Sequence, residues 1–474
     1  MMSNEALDIV LRELGNSLQY RETGIQILDE GALRAKSGKL ARLSALGSAA
    51  EQVWARYLTR LIALELGAVP ASIHDLYMAR GRGEVPPTFT VPAMNLRILP
   101  FEAARRVFRI AKKIDAGAFV FEIARSEIGY TDQRPAEYAA NILAAAIAEN
   151  YQGPVFIQGD HFQVSAKRFK EDAVKEIAAV EELTAEALQA GFFNIDIDTS
   201  TLVDISQQGE PAQQKTNSEL SAAFTDYIRK REPEGVTVSI GGEIGEVGGR
   251  NSNEAELRAY VEGYQSALKS RAPGAVGLSK ISIQTGTSHG GVVLPDGTVA
   301  KVKVDFDTLL ALSRVARNEY GYAGAVQHGA STLPEEAFGK FVESEACEVH
   351  LATNFQNILF DRLPKPMLGA VYLYVNTKFK ADRKAGQTNE QFHYENRKRA
   401  IGVFKGDIWD LPKPDKEVIV EAWEQQFAKL FNLLAIGDTR KYVDQFVQAP
   451  KVKPDRVFYF GKEVAQEEVK DLSD

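Results

Sequence analysis

Three consecutive stretches decide the fold class: GPVFIQGD at residues 153–160, EDAVKEIAAVEELTAEALQAG at residues 171–191, and FFNIDID at residues 192–198. The first and third are short and rich in apolar and β-branched residues. The second has the apolar repeat of an amphipathic helix. A strand, a helix and a second strand in this order predict two neighbouring parallel strands of one sheet.

The same alternation extends in both directions, from residue 89 to about residue 360. The other β-rich stretches are FTVPAMNL (89–96), GAFVFEIA (117–124), GVTVSIGGEIGE (235–246), KISIQTGT (280–287), AGAVQHGA (323–330) and CEVHLAT (347–353). Eight strand–helix units predict an α/β fold of the closed (β/α)₈ TIM-barrel type, with an open doubly wound sheet as the alternative.

Two extensions flank the predicted barrel. Residues 1–88 show apolar residues at helical spacing and predict an N-terminal helical extension. Residues 361–474 form a C-terminal extension, in which EVIVEAWEQQFAKLFNLLA (417–435) predicts an amphipathic helix. The apolar stripes of these helices fit either packing within the chain or a subunit interface, and we expect a homo-oligomer, a dimer or a tetramer.

Composition narrows the classes of partner. The 474 residues include 56 Lys and Arg and 64 Asp and Glu, which gives a net charge of −8. This acidic balance and the lack of a basic run argue against nucleic acid as a binding partner. A single cysteine, Cys347, excludes an internal disulfide framework. No apolar run reaches the roughly 18 residues of a membrane span, and the first residues do not resemble a secretory signal. We therefore expect a cytoplasmic protein without a membrane partner.

Histidines cluster at the ends of the predicted strands. The chain has six, and four of them (His161, His289, His328 and His350) lie where a strand ends. Because the carboxyl ends of barrel strands form one mouth, His161, His289 and His328 predict a site for a divalent metal, most simply zinc. Manganese, cobalt or iron would suit the same ligands.

Acidic and glycine-rich segments accompany these histidines. Asp160, Asp198 and Glu243 end their strands, where a carboxylate either moves a proton or orients a ligand histidine. The turns Gly290-Gly291 and Gly329-Ala330-Ser331 expose backbone amides that suit an anion, although glycines also serve tight turns alone.

The residues from about 89 to 360 resemble the class II, metal-dependent fructose-bisphosphate/tagatose-bisphosphate aldolases. The likeness rests on VPAMN, QGDHF, IDTSTL, GGEIGEVGG, GTSHGG followed by VKVDFDTL, and QHGAST, in the family's order. It implies a zinc-dependent lyase of carbohydrate metabolism, such as glycolysis. Such an enzyme reversibly cleaves a ketose (bis)phosphate, for example fructose 1,6-bisphosphate, to dihydroxyacetone phosphate and an aldehyde through a metal-stabilised enediolate.

The resemblance also implies roles for individual residues. Asp160 would exchange a proton with the C4 hydroxyl. The metal would be bound by His161, His289 and His328, with Glu243 beside it. The phosphate would be bound by the residues Gly290, Gly329, Ala330, Ser331 and Thr353.

Two departures from the family pattern keep an alternative open. Where the glycine-rich loop normally continues into an acidic pair, this chain has Arg250, Asn251 and Ser252, and Glu254 is the nearest acid. On the last strand His350 replaces an asparagine that would contact the enediolate. Both changes favour a metal-dependent ketose or ketose-acid epimerase on the same scaffold, with Arg125 and Arg250 as possible carboxylate contacts.

A third interpretation is a non-enzymatic barrel whose extensions bind a partner; Asp160 and the three histidines argue against it. Lys301, Lys303, Arg125 and Arg97 are candidate phosphate or carboxylate contacts, or surface charges.

Overall fold

The computed structural model describes residues 4–245, 250–286, 294–295 and 304–461, apart from the side chain of Thr332. The strands are β1 (Leu18–Arg21), β2 (Gly24–Ile27), β3 (Ala68–Ala71), β4 (Val91–Asn95), β5 (Val120–Ala124), β6 (Gly153–Gln163), β7 (Asn194–Asp198), β8 (Ser239–Glu243), β9 (Lys280–Ile283), β10 (Ala325–Gln327) and β11 (Glu348–Leu351).

The α-helices are α1 (Asn4–Glu13), α2 (Glu30–Leu46), α3 (Ala49–Glu65), α4 (His74–Gly81), α5 (Pro100–Lys113), α6 (Arg125–Thr131), α7 (Pro135–Ala148), α8 (Ala166–Glu171), α9 (Ala173–Ala190), α10 (Glu210–Arg229), α11 (Glu254–Arg271), α12 (Phe306–Tyr320), α13 (Phe338–Glu343), α14 (Thr353–Phe360), α15 (Lys365–Lys378), α16 (Asn389–Asn396), α17 (Lys405–Trp409), α18 (Lys413–Leu433), α19 (Arg440–Phe446) and α20 (Arg456–Gly461). Short 3₁₀ turns occupy Ser200–Leu202, Ala330–Thr332, Glu335–Ala337, Lys380–Asp382 and Arg397–Ala400.

Strands β4 to β11 close into the predicted (β/α)₈ barrel. They follow one another around the barrel in chain order, every pair is parallel, and β11 returns to β4 with Val349 beside Pro92. Each strand is followed by at least one helix, and most strand residues are buried because helices cover the outside of the sheet. The open doubly wound alternative is excluded by this closure.

The helix between β6 and β7 shows how the chain makes each crossover. Asp172 caps α9 by accepting a hydrogen bond from the Lys175 amide at 3.0 Å. The helix ends at Gly191, whose φ of 97° is left-handed and whose missing side chain leaves room for the buried Arg60 guanidinium.

The N-terminal segment, predicted as helical, contains two further sheet elements. Strands β1 and β2 form a separate antiparallel hairpin, and β3 pairs with the first residues of β6. The Asn194 side chain fastens this segment to the barrel. It accepts from the Ile73 amide at 2.8 Å and donates to Ala71 and Ile157 carbonyls. Strands of four residues are too short to show a clear two-residue period, and for this reason they were not predicted.

Both extensions share one hydrophobic core with the barrel. Helices α2 and α3 cover the alanine-rich α7, whose small side chains allow close approach on several sides. The predicted helix at 417–435 is found as α18, which packs on α5 and α14. Its Trp423 donates from Nε1 to the Phe355 carbonyl at 2.9 Å.

Two further features of the described residues are the character of their helices and the state of the cysteine. Within those residues, none of the helices combines the length and the apolar character that crossing a membrane requires. Cys347 is buried with a free thiol immediately before β11.

We predict that His74 makes stability depend on pH. This histidine, at the start of α4, is buried, and burial together with Arg229 and Arg82 lowers its pKa from 6.5 to about 4. Between these values the unfolded chain binds a proton that the folded chain does not. The free energy of unfolding therefore falls as pH falls from about 6.5 to about 4, by up to about 3 kcal/mol.

The measurement is chemical denaturation at several pH values for wild type and His74→Gln. The variant should lose less stability across this range, whereas His393→Gln, at a less buried histidine, should change the profile less. Parallel profiles for wild type and His74→Gln would contradict the assignment.

Candidate functional site

The eight barrel strands bring polar and charged side chains to one interior and its mouth. These side chains are Asn95, Glu122, Gln158, Asp160, His161, Asp196, Asp198, Glu243, Lys280, Ser282, His328, Glu348 and His350. All are buried except Glu243, which is partly exposed. A barrel of this type is usually filled by branched apolar residues, so this concentration of charge marks a functional region.

A β-bulge directs both Asp160 and His161 toward the site. The pairing of β6 with β7 shifts between Gly159 and Phe162, and His161 adopts a left-handed φ of 39°. Gly159 is required here, because a Cβ atom would lie 2.4 Å from the Phe162 ring. Consecutive strand residues normally point to opposite faces, and the bulge removes that restriction at the cost of backbone strain.

Three imidazole rings lie side by side at the mouth. The ring centroids of His161 and His328 are 4.2 Å apart, and those of His328 and His350 are 4.0 Å apart. The predicted ligands His161 and His328 are thus brought together. The third, His289, lies outside the described residues, as does Gly290.

The donor set fits a divalent metal. Asp160, His161 and His328 each offer a ligand atom, and these atoms lie within 4.8 Å of one another. His161 Nδ1 lies 2.9 Å from Asp198 Oδ2, the carboxylate–histidine contact that orients a ring so that Nε2 faces a metal. Ser282 Oγ lies 2.9 Å from His328 Nε2.

Glu243 lies beside the histidines, as predicted from its strand end. Its Oε2 atom is 3.5 Å from His161 Nδ1 and 3.9 Å from His328 Nε2. Burial and the nearby Asp198 carboxylate raise the pKa of Glu243 to about 8. Glu243 is therefore placed either to coordinate a metal or to keep a proton next to it.

Asp160 is oriented through both of its carboxylate oxygens. Asn95 Nδ2 donates to Oδ2 at 3.0 Å, and His350 Nδ1 lies 3.1 Å from Oδ1. Burial alone would raise the pKa of Asp160, but His161 and His350 outweigh it and hold that pKa well below its usual range. An ionised, rigidly placed carboxylate of this kind can accept a proton from a substrate hydroxyl.

The Asn95 amide is itself fixed by a buried ion pair. Its Nδ2 atom also donates to Glu127 Oε2 at 2.8 Å, and Glu127 Oε1 accepts from Arg97 Nε at 2.6 Å. Arg97 and Arg125, which the sequence suggested as surface charges or anion contacts, are both buried in ion pairs. Arg125 pairs with Glu176. Their partners lie 30 and 51 residues further along the chain, too far for a sequence pattern to reveal.

A cluster of buried ions lies beneath the mouth. Lys280 Nζ is 2.8 Å from Gln158 Oε1 and 2.9 Å from Asp196 Oδ1, and it also bonds to Glu348. We call Lys280, Asp196 and Glu348 the inner ion cluster. Burial would lower the pKa of Lys280, but Asp196 and Glu348 raise it above its usual value, so the ammonium stays charged.

His350 connects this cluster to Asp160. Its Nε2 atom lies 2.7 Å from Glu348 Oε1, while its Nδ1 atom lies 3.1 Å from both Asp160 Oδ1 and Glu122 Oε1. Burial would lower the pKa of His350, yet Glu122 and Asp160 hold it well above its usual range. Burial and the adjacent Asp160 raise the pKa of Glu122 to about 8.

The predicted anion-binding residues follow β10 and β11. Gly329 has a left-handed φ of 67°, and Ala330 and Ser331 begin a 3₁₀ turn. Ser331 Oγ accepts from the Ala352 amide at 2.6 Å, immediately before Thr353 at the start of α14. The two loops therefore meet at the same edge of the barrel.

Sequence reasoning missed Asn95, Glu122, Gln158, Lys280 and Glu348. Asn95 in VPAMN and Glu122 in VFEIA interrupt otherwise apolar strands, whereas Gln158, Lys280 and Glu348 lie on strands with further polar residues. Because parallel barrel strands are normally continuously apolar, such interruptions are the signal that would have found Asn95 and Glu122.

Comparisons with known proteins agree with the architecture. A family model described as fructose-bisphosphate aldolase class-II matches residues 87–407. A search of curated proteins found no match.

Solved structures with low sequence identity are similar to this chain. A probable tagatose 6 phosphate kinase from Sinorhizobium meliloti 1021 is 16% identical with a TM-score of 0.52, over 74% of this chain and 98% of that chain. The fructuronate-tagaturonate epimerase UxaE from Cohnella laeviribosi is 12% identical with a TM-score of 0.54, over 89% and 90%. The YdjI aldolase from Escherichia coli K12 is 11% identical with a TM-score of 0.44, over 77% and 98%.

We predict that Lys280→Met is strongly destabilising. Removing the ammonium leaves Asp196 and Glu348 buried without their cation, which should lower the free energy of unfolding by about 3–5 kcal/mol. The double variant Lys280→Met/Glu348→Met should recover at least half of that loss, because it removes one of the uncompensated charges. Chemical denaturation at neutral pH measures both.

The matched control is Lys269→Met on the exposed side of α11, which should change stability by less than about 0.5 kcal/mol. A Lys280→Met protein as stable as the control would show that the inner ion cluster does not need its lysine.

Proposed function

The chain belongs to the class II fructose-bisphosphate aldolase family, and on that premise we propose that it is a metal-dependent carbon–carbon lyase. Its substrate is a ketose (bis)phosphate such as fructose 1,6-bisphosphate, and its products are dihydroxyacetone phosphate and an aldehyde. The observation that carries this proposal is the placement of the Asp160 carboxylate beside His161 and His328, within 4.8 Å of ligand atoms on both.

Asp160 is the base in this proposal. It accepts the proton of the C4 hydroxyl, and the electron pair left on that oxygen forms the aldehyde C=O bond. The C3–C4 bonding pair then forms a C2–C3 double bond, and the π pair of the C2 carbonyl moves to its oxygen. A proton then returns to C3, and the reverse sequence is an aldol addition. Asn95 and His350 support this role because they fix both Asp160 oxygens before substrate arrives.

The metal ligands are His161, His289 and His328, with Glu243 as an additional or alternative ligand. A zinc ion bound there would supply a Lewis acid for the ketose carbonyl. The contact of Asp198 with His161 supports this assignment, since it turns the other ring nitrogen toward the metal position.

The phosphate of the dihydroxyacetone half binds, in this proposal, to Gly290, Gly329, Ala330, Ser331 and Thr353. Backbone amides in a left-handed turn and at the start of a helix attract an anion. The hydrogen bond that joins Ser331 to the residue before Thr353 supports a single shared pocket.

A second candidate is a ketose or ketose-acid epimerase. The observation that favours it is His350, which lies 3.1 Å from Asp160 and places a second proton-exchanging group at the base. Retention of the aldehyde, its rotation and its re-addition would invert C4 without net cleavage. The UxaE epimerase shares the fold over most of the chain, which is compatible with this activity without selecting it.

Three further expectations accompany the proposal: a dimer or tetramer, a cytoplasmic location, and a division of the chain at residues 88 and 360.

A product assay tests the function. Purified protein is incubated with fructose 1,6-bisphosphate, tagatose 1,6-bisphosphate and unphosphorylated ketose acids, with and without a chelator. Triose phosphates that disappear with chelation are the expected result. An epimeric sugar without trioses would replace the lyase assignment by the epimerase, and the absence of any conversion would contradict both.

We predict that Asp160→Ala retains metal but loses cleavage, with kcat reduced at least about a hundredfold, because a positioned base contributes about 10²–10⁴. Metal analysis and the triose assay are made on the same sample. Asp172→Ala, which removes an exposed carboxylate from the α9 cap, controls for the loss of a carboxylate. Turnover at the wild-type level would remove Asp160 from the mechanism.

We predict that His161→Ala and His328→Ala lose bound metal and activity together, because each removes one imidazole from the donor set. Metal content measured after dialysis should fall to a small fraction of wild type. His393→Ala, outside the site, should leave the metal content unchanged. Wild-type metal in both site variants would rule out the ligand assignment.

A further inference from the structure

Glu348 is surrounded by hydrogen-bond donors. Lys280 Nζ and Gln158 Nε2 donate to Oε1, the latter at 3.1 Å, and Tyr77 Oη donates to Oε2. An ionised carboxylate accepts but cannot donate. Burial would raise the pKa of Glu348, but Lys280 and His350 outweigh it and hold that pKa far below its usual value. Glu348 is therefore ionised and acts only as an acceptor.

This arrangement determines how His350 is used. Because Glu348 Oε1 lies 2.7 Å from His350 Nε2 and only accepts, the Nε2–H of His350 must donate to it. The ring is thereby fixed in its plane, with Nδ1 directed toward Asp160 Oδ1 at 3.1 Å. The chemistry of Glu348 thus selects the orientation of a ring that contacts the base.

The contacts form a continuous path across the barrel interior. Lys280 on β9 fixes Glu348 on β11, Glu348 fixes His350 on the same strand, and His350 fixes Asp160 on β6. Glu348 is fully buried, so water does not replace its contacts. Nothing in the proposed reaction requires Lys280 or Glu348 to touch substrate.

We infer that Lys280 and Glu348 are positioning residues for Asp160, acting through the His350 ring. The inference rests on the proposed function in one respect, the role of Asp160 as base. It adds two residues that have no contact with the reacting atoms and that set the direction from which Asp160 meets the substrate.

The test begins with Glu348→Met, which removes the acceptor of His350 and leaves Lys280 its contacts with Asp196 and Gln158. We expect kcat to fall about tenfold to a hundredfold with KM and metal content nearly unchanged, since a small misplacement of a reacting group has effects of this size. Glu348→Gln, whose amide oxygen can still accept from Nε2, should recover part of kcat.

Tyr77→Phe is the matched control. It removes a buried hydrogen bond from the other oxygen of Glu348 but leaves the contact with His350 intact. We expect its kcat to stay within about twofold of wild type. A similar loss in Tyr77→Phe and Glu348→Met would mean that any disturbance of Glu348 lowers activity, and would overturn the inference.

Two comparisons separate positioning from a purely structural role. The double variant Lys280→Met/Glu348→Met should regain stability relative to Lys280→Met without regaining kcat. In a His350→Gln background, Glu348→Met should reduce kcat no further, because the path already ends. Recovery of kcat in parallel with stability, or full additivity with His350→Gln, would contradict positioning.

A spectroscopic measurement keeps this inference separate from the proposed function. In protein labelled with ¹⁵N-histidine, the His350 ring signals are those lost in His350→Gln. Nε2 should carry a proton in wild type and Tyr77→Phe, and its signal should shift or broaden in Glu348→Met. If no sugar is turned over, the proposed function fails, and an unchanged His350 signal in Glu348→Met would overturn the positioning inference as well.

Discussion

The ion pairs of the buried Lys280 ammonium determine how the rest of the barrel interior is arranged. Lys280 reaches Gln158 on β6, Asp196 on β7 and Glu348 on β11, so a single side chain joins strands on different sides of the barrel. Carboxylates inside a barrel are costly without a cation, and the cation is costly without them. Each group therefore explains the presence of the others, and together they allow a polar interior where apolar packing is usual.

The bulge in β6 is the second constraint, and it connects the fold to the chemistry. A regular strand would turn Asp160 and His161 to opposite faces, so the proposed base and the proposed metal ligand would not face the same site. Gly159 and the left-handed backbone of His161 bring both inward. The local strain is tolerated because the surrounding strands, paired on both sides, leave the segment no alternative path.

Much of the fold follows from sequence, because eight apolar runs alternating with amphipathic helices leave few topologies. The short β1–β2 hairpin and β3 escaped prediction because four residues carry no period. At the site, His161, His328, Glu243 and Asp160 do converge, since all mark strand ends. Lys280, Glu348 and Asn95 were missed because their partners lie on other strands. The pairing of Arg97 with Glu127 was missed for the same reason, because contacts between different strands and helices are set only when the barrel closes.

Under the proposed function, cleavage and epimerisation make the same demand on the residues described around Asp160. Both begin with removal of the C4 hydroxyl proton, and both need that carboxylate fixed by Asn95 and His350. They differ only in whether the aldehyde fragment leaves or is retained while it rotates. In this proposal the choice therefore depends on His350 at the base and on whichever groups hold the aldehyde beyond C4. A scaffold that keeps the proposed base fixed can change its product through the residues around that base without changing the first step of its chemistry.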